Sequence, residues 1–430
     1  MNQIDEIEQQ GNIDIKELNN LIFGTYQKYK YVFNYEKSLL FRITKPLDYY
    51  FDKYPFLFIT SADLDPDEQV ARIQFFPTLA CNMRCKYCYN ASGEYLNAPV
   101  ISSKIIKSGI DYVLRNGAKY LLVHFIGGEP TLAINSLRYA VDYANNAAPY
   151  TDLYIVTNGT FGDEVFKLLV EHDFDVIVSL DSVNKVNDQY RLFASGSSPY
   201  NVVLKNIKRL SEENIRLLIR STLTKESVDY ISEFLIEMNN CGVKKIRFEP
   251  MLNTAGRAIK NALDNKISSL RLFKELYKAL TEADKMGISI DMPLSKYIRL
   301  RDKRFKRPLI VLPNGHITNS AVVCHPKQEE YDQFHIMSIL PQSVTSFPEK
   351  IKLLAENFKY NTNTFCSDCP IVSMCLGRLR GYDFSRNELC INDNEICNLY
   401  CKMHPILMHF WTKKYKKTKV DSDLTFWEII

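Results

Sequence analysis

The chain has 430 residues, of which 46% are hydrophobic and 24% charged, and its formal net charge is +4. That length suits two or three modules of ordinary globular composition, and so small a charge excess offers nothing to nucleic acid. No apolar run approaches the ~18 residues of a membrane span. Residues 1–20 are polar and acid-leaning (Asp5, Glu6, Glu8, Asp14, Glu17), unlike a signal peptide. Eleven cysteines in such a chain point to metal binding rather than disulfides. The expected setting is the cytoplasm, with neither a membrane nor a nucleic acid as partner.

Taken in chain order, the first seventy residues, including Tyr26–Phe41, alternate aromatic, basic and apolar residues as a strand pair would. They form a small N-terminal module, residues 1–70. From Ile73 to about Asp291, short β-rich runs alternate with stretches of helical period. The expected strands are Ile73–Phe76, Tyr120–Phe125, Leu153–Thr157, Val176–Leu180, Arg216–Leu223 and Lys245–Glu249. The expected helices are Ser102–Arg115, Leu132–Asn146, Phe161–His172, part of Ala194–Leu210, Ser227–Asn240 and Ser268–Met286. Six β–α units predict a parallel sheet with helices packed outside, here a partial (β/α)6 TIM-like barrel over residues 71–300. The strands are nearly continuous in apolar residues, as strands buried on both faces are. After about Arg304 the alternation stops, and residues 301–430 form a cysteine-rich extension. Within it, Val311-Leu-Pro-Asn-Gly315-His-Ile-Thr reads as a hairpin around an Asn-Gly turn.

The chemistry concentrates in Cys81-Asn-Met-Arg-Cys85-Lys-Tyr-Cys88, a C-x3-C-x2-C loop directly after the first core strand. Three thiolates can hold three irons of a cubane [4Fe–4S] cluster and leave the fourth iron open. The competing reading is zinc, but structural zinc usually takes four ligands as two separated pairs. In parallel β/α barrels the chemistry sits at the carboxyl ends of the strands, which is where this loop falls.

With Tyr87 just before the last cysteine, the loop resembles the signature of the radical S-adenosylmethionine superfamily. The resemblance implies that the open iron binds S-adenosylmethionine (SAM). One electron then releases a 5′-deoxyadenosyl radical, which removes a hydrogen atom from an unactivated C–H bond. The segment Gly127-Gly128-Glu129-Pro130, after the second strand, is similar to the family's G-G-E-P element, which binds the methionine amino group. By itself, a Gly-Gly turn lets backbone come close to a ligand, and the Glu129 carboxylate can pair with an ammonium. Asn158, in Thr157-Asn158-Gly159, resembles the family's turn near the cofactor. Ser179, Asp181 and Arg191 resemble its ribose- and methionine-side residues, although Ser182 and Asn187 replace a glycine and a histidine there. The alternative for Asp181 is a strand-end turn, and for Arg191 a surface salt bridge.

A second cluster, Cys366-Ser-Asp-Cys369-Pro-Ile-Val-Ser-Met-Cys375, resembles the SPASM extension of radical SAM peptide and protein maturases. That resemblance implies at least one auxiliary [4Fe–4S] cluster on Cys366, Cys369 and Cys375, with Cys401 as fourth ligand and Cys390 and Cys397 as rivals. Two of the pattern's cysteine positions are Ser320 and Leu379 here, and both belong to the first auxiliary cluster. Cys324, Cys390 and Cys397 are the candidates to rebuild it. C-x2-C is also a common zinc half-site, so zinc stays open here. Some family members use a thiol as hydrogen-atom donor, which makes Cys241 and Cys324 candidates against the default of a small buried hydrophobe. Glu249, at the mouth of the sixth strand, is either a substrate or cofactor contact or a capped strand-end carboxylate. Related maturases often bind a precursor leader with a winged-helix-like N-terminal module. The basic run Lys413–Lys419 reads as a solvated helix end.

These readings converge on a radical SAM enzyme that modifies a ribosomally made precursor peptide by crosslink, thioether or epimerisation, with flavodoxin or ferredoxin as electron donor. The alternatives are a maturase oxidising a side chain of another enzyme, as sulfatase maturases do, a maker of a small peptide-derived cofactor, or a non-catalytic iron–sulfur scaffold or redox adaptor.

Overall fold

The computed structural model describes residues 14–18, 21–26, 29–34, 39–44, 50, 53, 70–89, 91–94, 99–115, 117–213, 215–251, 256–257, 267–291, 309–318, 321, 323–328, 331, 335–340, 382–383, 388–389, 403, 406, 408–410, 417–419 and 425–428. An antiparallel meander opens the chain: β1 (Asp14–Leu18), β2 (Leu21–Tyr26), β3 (Tyr29–Asn34) and β4 (Leu39–Ile43). The core follows as β5 (Val70–Phe75), α1 (Ser103–Leu114), β6 (Tyr120–Phe125), α2 (Ile134–Ala147), β7 (Tyr150–Thr157), α3 (Asp163–Glu171) and β8 (Asp175–Ser179). It continues through α4 (Asn184–Tyr190), α5 (Tyr200–Glu212), β9 (Arg216–Leu223), α6 (Ile231–Asn240), β10 (Lys245–Pro250), α7 (Ser269–Met286) and β11 (Ser289–Asp291).

Local chemistry sets the ends of these elements. Ser102 caps α1 by accepting from the Ile105 N–H, and Ser268 caps α7 by accepting from the Arg271 N–H. Gly287 ends α7 in the left-handed region. Helix α5 starts only at Tyr200, because Ser195-Gly-Ser-Ser-Pro199 fills the front of the stretch expected to be helical. The short helix α4 falls outside the sequence expectation: seven residues are too few to show a helical period.

Strands β5 to β11 are all parallel and lie in the sheet in chain order. Right-handed crossovers between strands that never reverse order place every helix on one face, which makes the sheet a partial barrel. The burial pattern follows. Leu121, Val123, Phe125, Val176, Val178, Ile219 and Ile246 are buried in one core with Ile106, Ile110, Leu137, Leu169, Ile207 and Leu235 of the helices. Their alternate neighbours stay half-exposed, as in the in-out patterns of β6 and β8. The expectation of strands buried on both faces is therefore corrected: helices cover one face, and the other lines the lumen.

Past the core, β12 (Leu309–Val311) runs parallel to β5, and β13 (His316–Thr318) and β14 (His335–Ser338) extend that edge. The Asn-Gly hairpin is present, with Gly315 at φ +82° in the turn. A short pair, β15 (Tyr382–Asp383) and β16 (Glu388–Leu389), stands apart. Finally β17 (Lys417–Lys419) and β18 (Thr425–Glu428) join the N-terminal meander, giving the order β1-β2-β3-β4-β18-β17. The start of the chain thus contributes four strands where a pair was expected. The basic run ends in a strand where a helix end was expected. Tyr31 of β3 ties this sheet to the last helical residues through a 2.7 Å hydrogen bond between its hydroxyl and His409 Nδ1. Among the described residues no helix is long and apolar enough to cross a membrane.

Phe125 is the centre of the aromatic packing, 6.3 Å from the Phe75 ring and 6.0 Å from that of Phe174, and almost fully buried. Phe125→Ala should therefore lower stability by about 3–5 kcal/mol, measured as a reduced midpoint in urea unfolding.

Candidate active site

The cysteine loop leaves the end of β5 and is pinned from three sides. Arg84 reaches back to the carbonyls of Cys81 (2.8 Å), Met83 (2.9 Å) and Gly93 (2.6 Å). The backbone N–H groups of Arg84 and Lys86 donate to the carbonyls of Leu192, just past α4, and of Tyr190, its last residue. From after β10, the Arg257 N–H donates to the Cys88 carbonyl (2.9 Å), and its guanidinium donates to the carbonyls of Cys85 (2.8 Å) and Ser92 (3.1 Å). Gly256 makes that approach possible: it sits at φ +59°, and a Cβ there would lie 2.3 Å from the Cys88 oxygen. Cys81, Cys85 and Cys88 are in no disulfide and have intermediate exposure.

Glu129 is buried and saturated. One carboxylate oxygen accepts from the Thr131 N–H (3.2 Å), the Thr131 hydroxyl (2.7 Å) and the Thr157 hydroxyl (2.7 Å); the other accepts from the Asn158 N–H (2.7 Å). The two glycines before it serve the same internal contact. A Cβ on Gly128 would lie 2.0 Å from the Ala80 carbonyl oxygen, and the N–H groups of Gly128 and Glu129 donate to the carbonyls of Thr78 and Ala80. The close approach read from the Gly-Gly pair is thus an approach to the strand leading into the cysteine loop. Pro130 opens the 3-10 turn Pro130–Ala133, with Glu129 as its cap.

Asn158 connects the parts. Its amide nitrogen donates to Asn82 Oδ1 (2.8 Å) and to Cys81 Sγ (3.9 Å), while its oxygen accepts from the Thr160 N–H and hydroxyl. Asn206 of α5 holds this turn by donating to the carbonyls of Gly159 and Phe161, 2.8 Å each.

On the other side, the Tyr87 hydroxyl donates to Asp181 and accepts from Arg191 Nη1 (2.8 Å), with Arg191 and Asp181 3.9 Å apart. The second Asp181 oxygen accepts from the Thr222 N–H (3.0 Å). Asn187, standing where the family has histidine, accepts from the Asp181 N–H, and the Ser182 hydroxyl is buried without a hydrogen-bond partner among the described residues. Arg191 is buried, not a surface ion pair. Ser179 ends β8 beside Arg220 of β9.

Cys241 ends α6, at the sheet end opposite the loop, where its electrostatic neighbours are Glu237 and Lys208. The structure does not bring it to the site. Cys324 behaves differently: it is buried among Phe76, Leu79 and Leu312, close enough to Cys88 for that residue to oppose the ionisation of Cys324. Burial pushes it up to about 12. Cys366, Cys369, Cys375, Cys390, Cys397 and Cys401 lie outside the described residues. Arg257, Asn82 and Arg220 escaped the sequence reading, and Thr157 entered it only as part of the T-N-G turn. Gly256-Arg257 stands alone after β10, and no spacing rule links it to a loop some 170 residues away.

Burial pushes the Cys81 thiol up to about 12, with Glu129 adding to the effect. Burial also raises Cys85, opposed mainly by the Arg191 guanidinium. Burial raises the Glu129 carboxyl against the pull of its hydrogen bonds from Asn158, Thr157 and Thr131. A protonated thiol is a poor nucleophile, so alkylation of Cys81 in the metal-free protein should rise about tenfold per pH unit from neutrality upward. Glu129→Gln should raise that rate at fixed pH, and a flat profile would contradict the assignment. Separately, Glu129→Ala strands four buried donor groups and should cost about 3 kcal/mol or more in urea unfolding.

Residues 75–237 match the model of the radical SAM superfamily. The radical SAM cyclopropyl synthase TigE of Paramaledivibacter caminithermalis is 26% identical over 200 residues, 43% of this chain and 42% of that protein. The chain spans about half the length of the curated relatives it matches. Among solved structures, anSMEcpe with bound AdoMet superposes at a TM-score of 0.63 with 16% identity, covering 79% of this chain and 98% of that one. Streptococcus suis SuiB bound to precursor peptide SuiA gives 0.54 with 17% identity, covering 76% of each chain. Cysteine loop, strand order and family match agree on one region: residues 75–237 are similar to the radical SAM superfamily.

Proposed function

We propose that this chain is a radical SAM enzyme that modifies a peptide or protein, most specifically a ribosomally made precursor peptide. The observation that carries the reading is the single network from Glu129 through Asn158 to Cys81, which links the G-G-E-P segment, the T-N-G turn and the cysteine loop at one end of the sheet. The donor set fits a cluster with one open iron: three half-buried cysteines on one loop, none of them in a disulfide. Among the described residues no three His, Cys, Asp or Glu side chains are grouped to hold one metal ion. A cluster in which each thiolate takes its own iron does not require that.

When bound, the [4Fe–4S] cluster and SAM would supply one-electron cleavage of a sulfonium bond and abstraction of a hydrogen atom. The protein's own part is positional. Cys81, Cys85 and Cys88 would hold the cluster, and Arg84 and Arg257 fix the loop backbone that carries them. The edge of the Gly127–Glu129 segment, with Ser179 and the Tyr87–Asp181–Arg191 group, would receive SAM. Buried charges in that group are compensated by one another, so it is already ordered before a ligand arrives. An auxiliary cluster on Cys366, Cys369, Cys375 and a late cysteine, and a flavodoxin or ferredoxin donor, belong to the same proposal. The SuiB–SuiA complex supports a peptide as the substrate class, since its fold covers most of this chain.

Protein reconstituted anaerobically should hold at least about eight irons, two cubane clusters' worth. With dithionite and SAM it should release 5′-deoxyadenosine, quantified by liquid chromatography, and Cys85→Ala should bring that release to background. Absence of cleavage in the wild type would favour a non-catalytic scaffold. Iron for one cluster with normal cleavage would remove the auxiliary site.

A further inference from the structure

The lumen face of β9, β10 and β11 carries a row of charges that the cysteine loop and the SAM-side residues do not use. Arg220 and Arg247 are register partners on neighbouring parallel strands, and Arg247 is in turn the partner of Asp291. They alternate with the buried Ile219, Ile246, Phe248 and Ile290, so they face away from the helices. Arg220 holds Glu249 with contacts of 2.5 and 2.8 Å, while Arg247 and Lys245 reach Asp291 at 3.3 and 3.4 Å. Like charges at paired register positions are unfavourable unless something anionic meets them. Among the described residues, three cations against two carboxylates leave one positive charge in this row. The Arg247 Nε is buried with no hydrogen-bond partner among the described residues.

The row sits directly below the SAM-side group. Thr222, whose N–H holds Asp181, is the register partner of Glu249, and Tyr87 and Tyr89 both lie within electrostatic reach of Arg220. An anion bound here would therefore lie next to the residues proposed to receive SAM. We infer that Arg220 and Arg247 form the anchoring site for a carboxylate of the substrate, such as an acidic side chain or a peptide C-terminus. A monoanion matches the single net charge of the row, and the two forked donors match a planar carboxylate. Glu249 holds the Arg220 fork until the substrate carboxylate displaces it.

This inference rests on the peptide-modifying reading above, and its test separates the two. Acetyl-Gly-Glu-Gly-amide and its glutamine counterpart are titrated calorimetrically into the reconstituted, SAM-loaded protein. The glutamate peptide should bind at least about tenfold more tightly, the scale of a charge-assisted hydrogen-bonded pair. Arg220→Gln and Arg247→Gln should each abolish the preference. Glu249→Gln, which removes the internal competitor, should strengthen binding of the glutamate peptide several-fold, an effect no loss of folding can imitate. Equal or undetectable binding of the two peptides, a preference that survives both arginine changes, or weaker binding in Glu249→Gln would overturn the site. Release of 5′-deoxyadenosine is followed in the same wild-type preparation; its absence would overturn the functional reading while the peptide preference still decides the site.

Discussion

The Glu129 carboxylate organises the mouth of the sheet. It is buried, and a buried carboxylate is tolerable only with its oxygens satisfied. The donors come from Thr131 in its own turn and from Thr157 and Asn158 at the end of β7. Two strand ends are thereby locked together by charge-assisted hydrogen bonds. Asn158, held by that lock, is then free to use its side chain on Asn82 and Cys81. The geometry of the cysteine loop depends on this chain of contacts.

Around that centre, the loop is fixed by backbone contacts rather than by a rigid element. Arg84 closes it from within, residues 190–193 border it, and Arg257 clamps it from the far side of the sheet. Arg84 spends its donors on loop carbonyls, and Arg257 divides its donors between loop carbonyls and the Glu94 carboxylate. Among the described residues the core helices all pack on the outer face, which follows from handedness and strand order. The inner face is where charged residues such as Arg220 and Glu249 stand, in a fold whose outer side is a continuous apolar core.

Much of this was readable from residues close in sequence. Strand β6 and strand β9 have the expected bounds, and six of the seven core helices fall inside or near the expected stretches, because apolar period is a local property. The Asn-Gly hairpin was legible for the same reason. Its place was not: β12 joins the core sheet beside β5, a pairing across more than 200 residues that no local pattern encodes. Nor was the fate of β17 and β18, which complete the N-terminal sheet from the other end of the chain. Glu129 was recognised as important and given an outward role, whereas its oxygens turn inward to threonine and asparagine donors.

What the sequence determined by itself is the chemistry that can be written along one stretch of chain: three thiols at C-x3-C-x2-C, a Gly-Gly-Glu turn after a strand, and the order of β–α units. Tertiary structure decided which of the remaining residues meet. It moved Cys241 to the far end and Cys324 beside Cys88, buried Arg191 against Tyr87 in place of the alternative surface salt bridge, and brought Arg257 onto the loop. It also set Arg220 next to Arg247 through parallel register. The physical reason is common to all of these. Spacing along the chain fixes neighbours within a turn or a loop, while register and crossover handedness fix neighbours across the sheet, and those are settled only when the core packs.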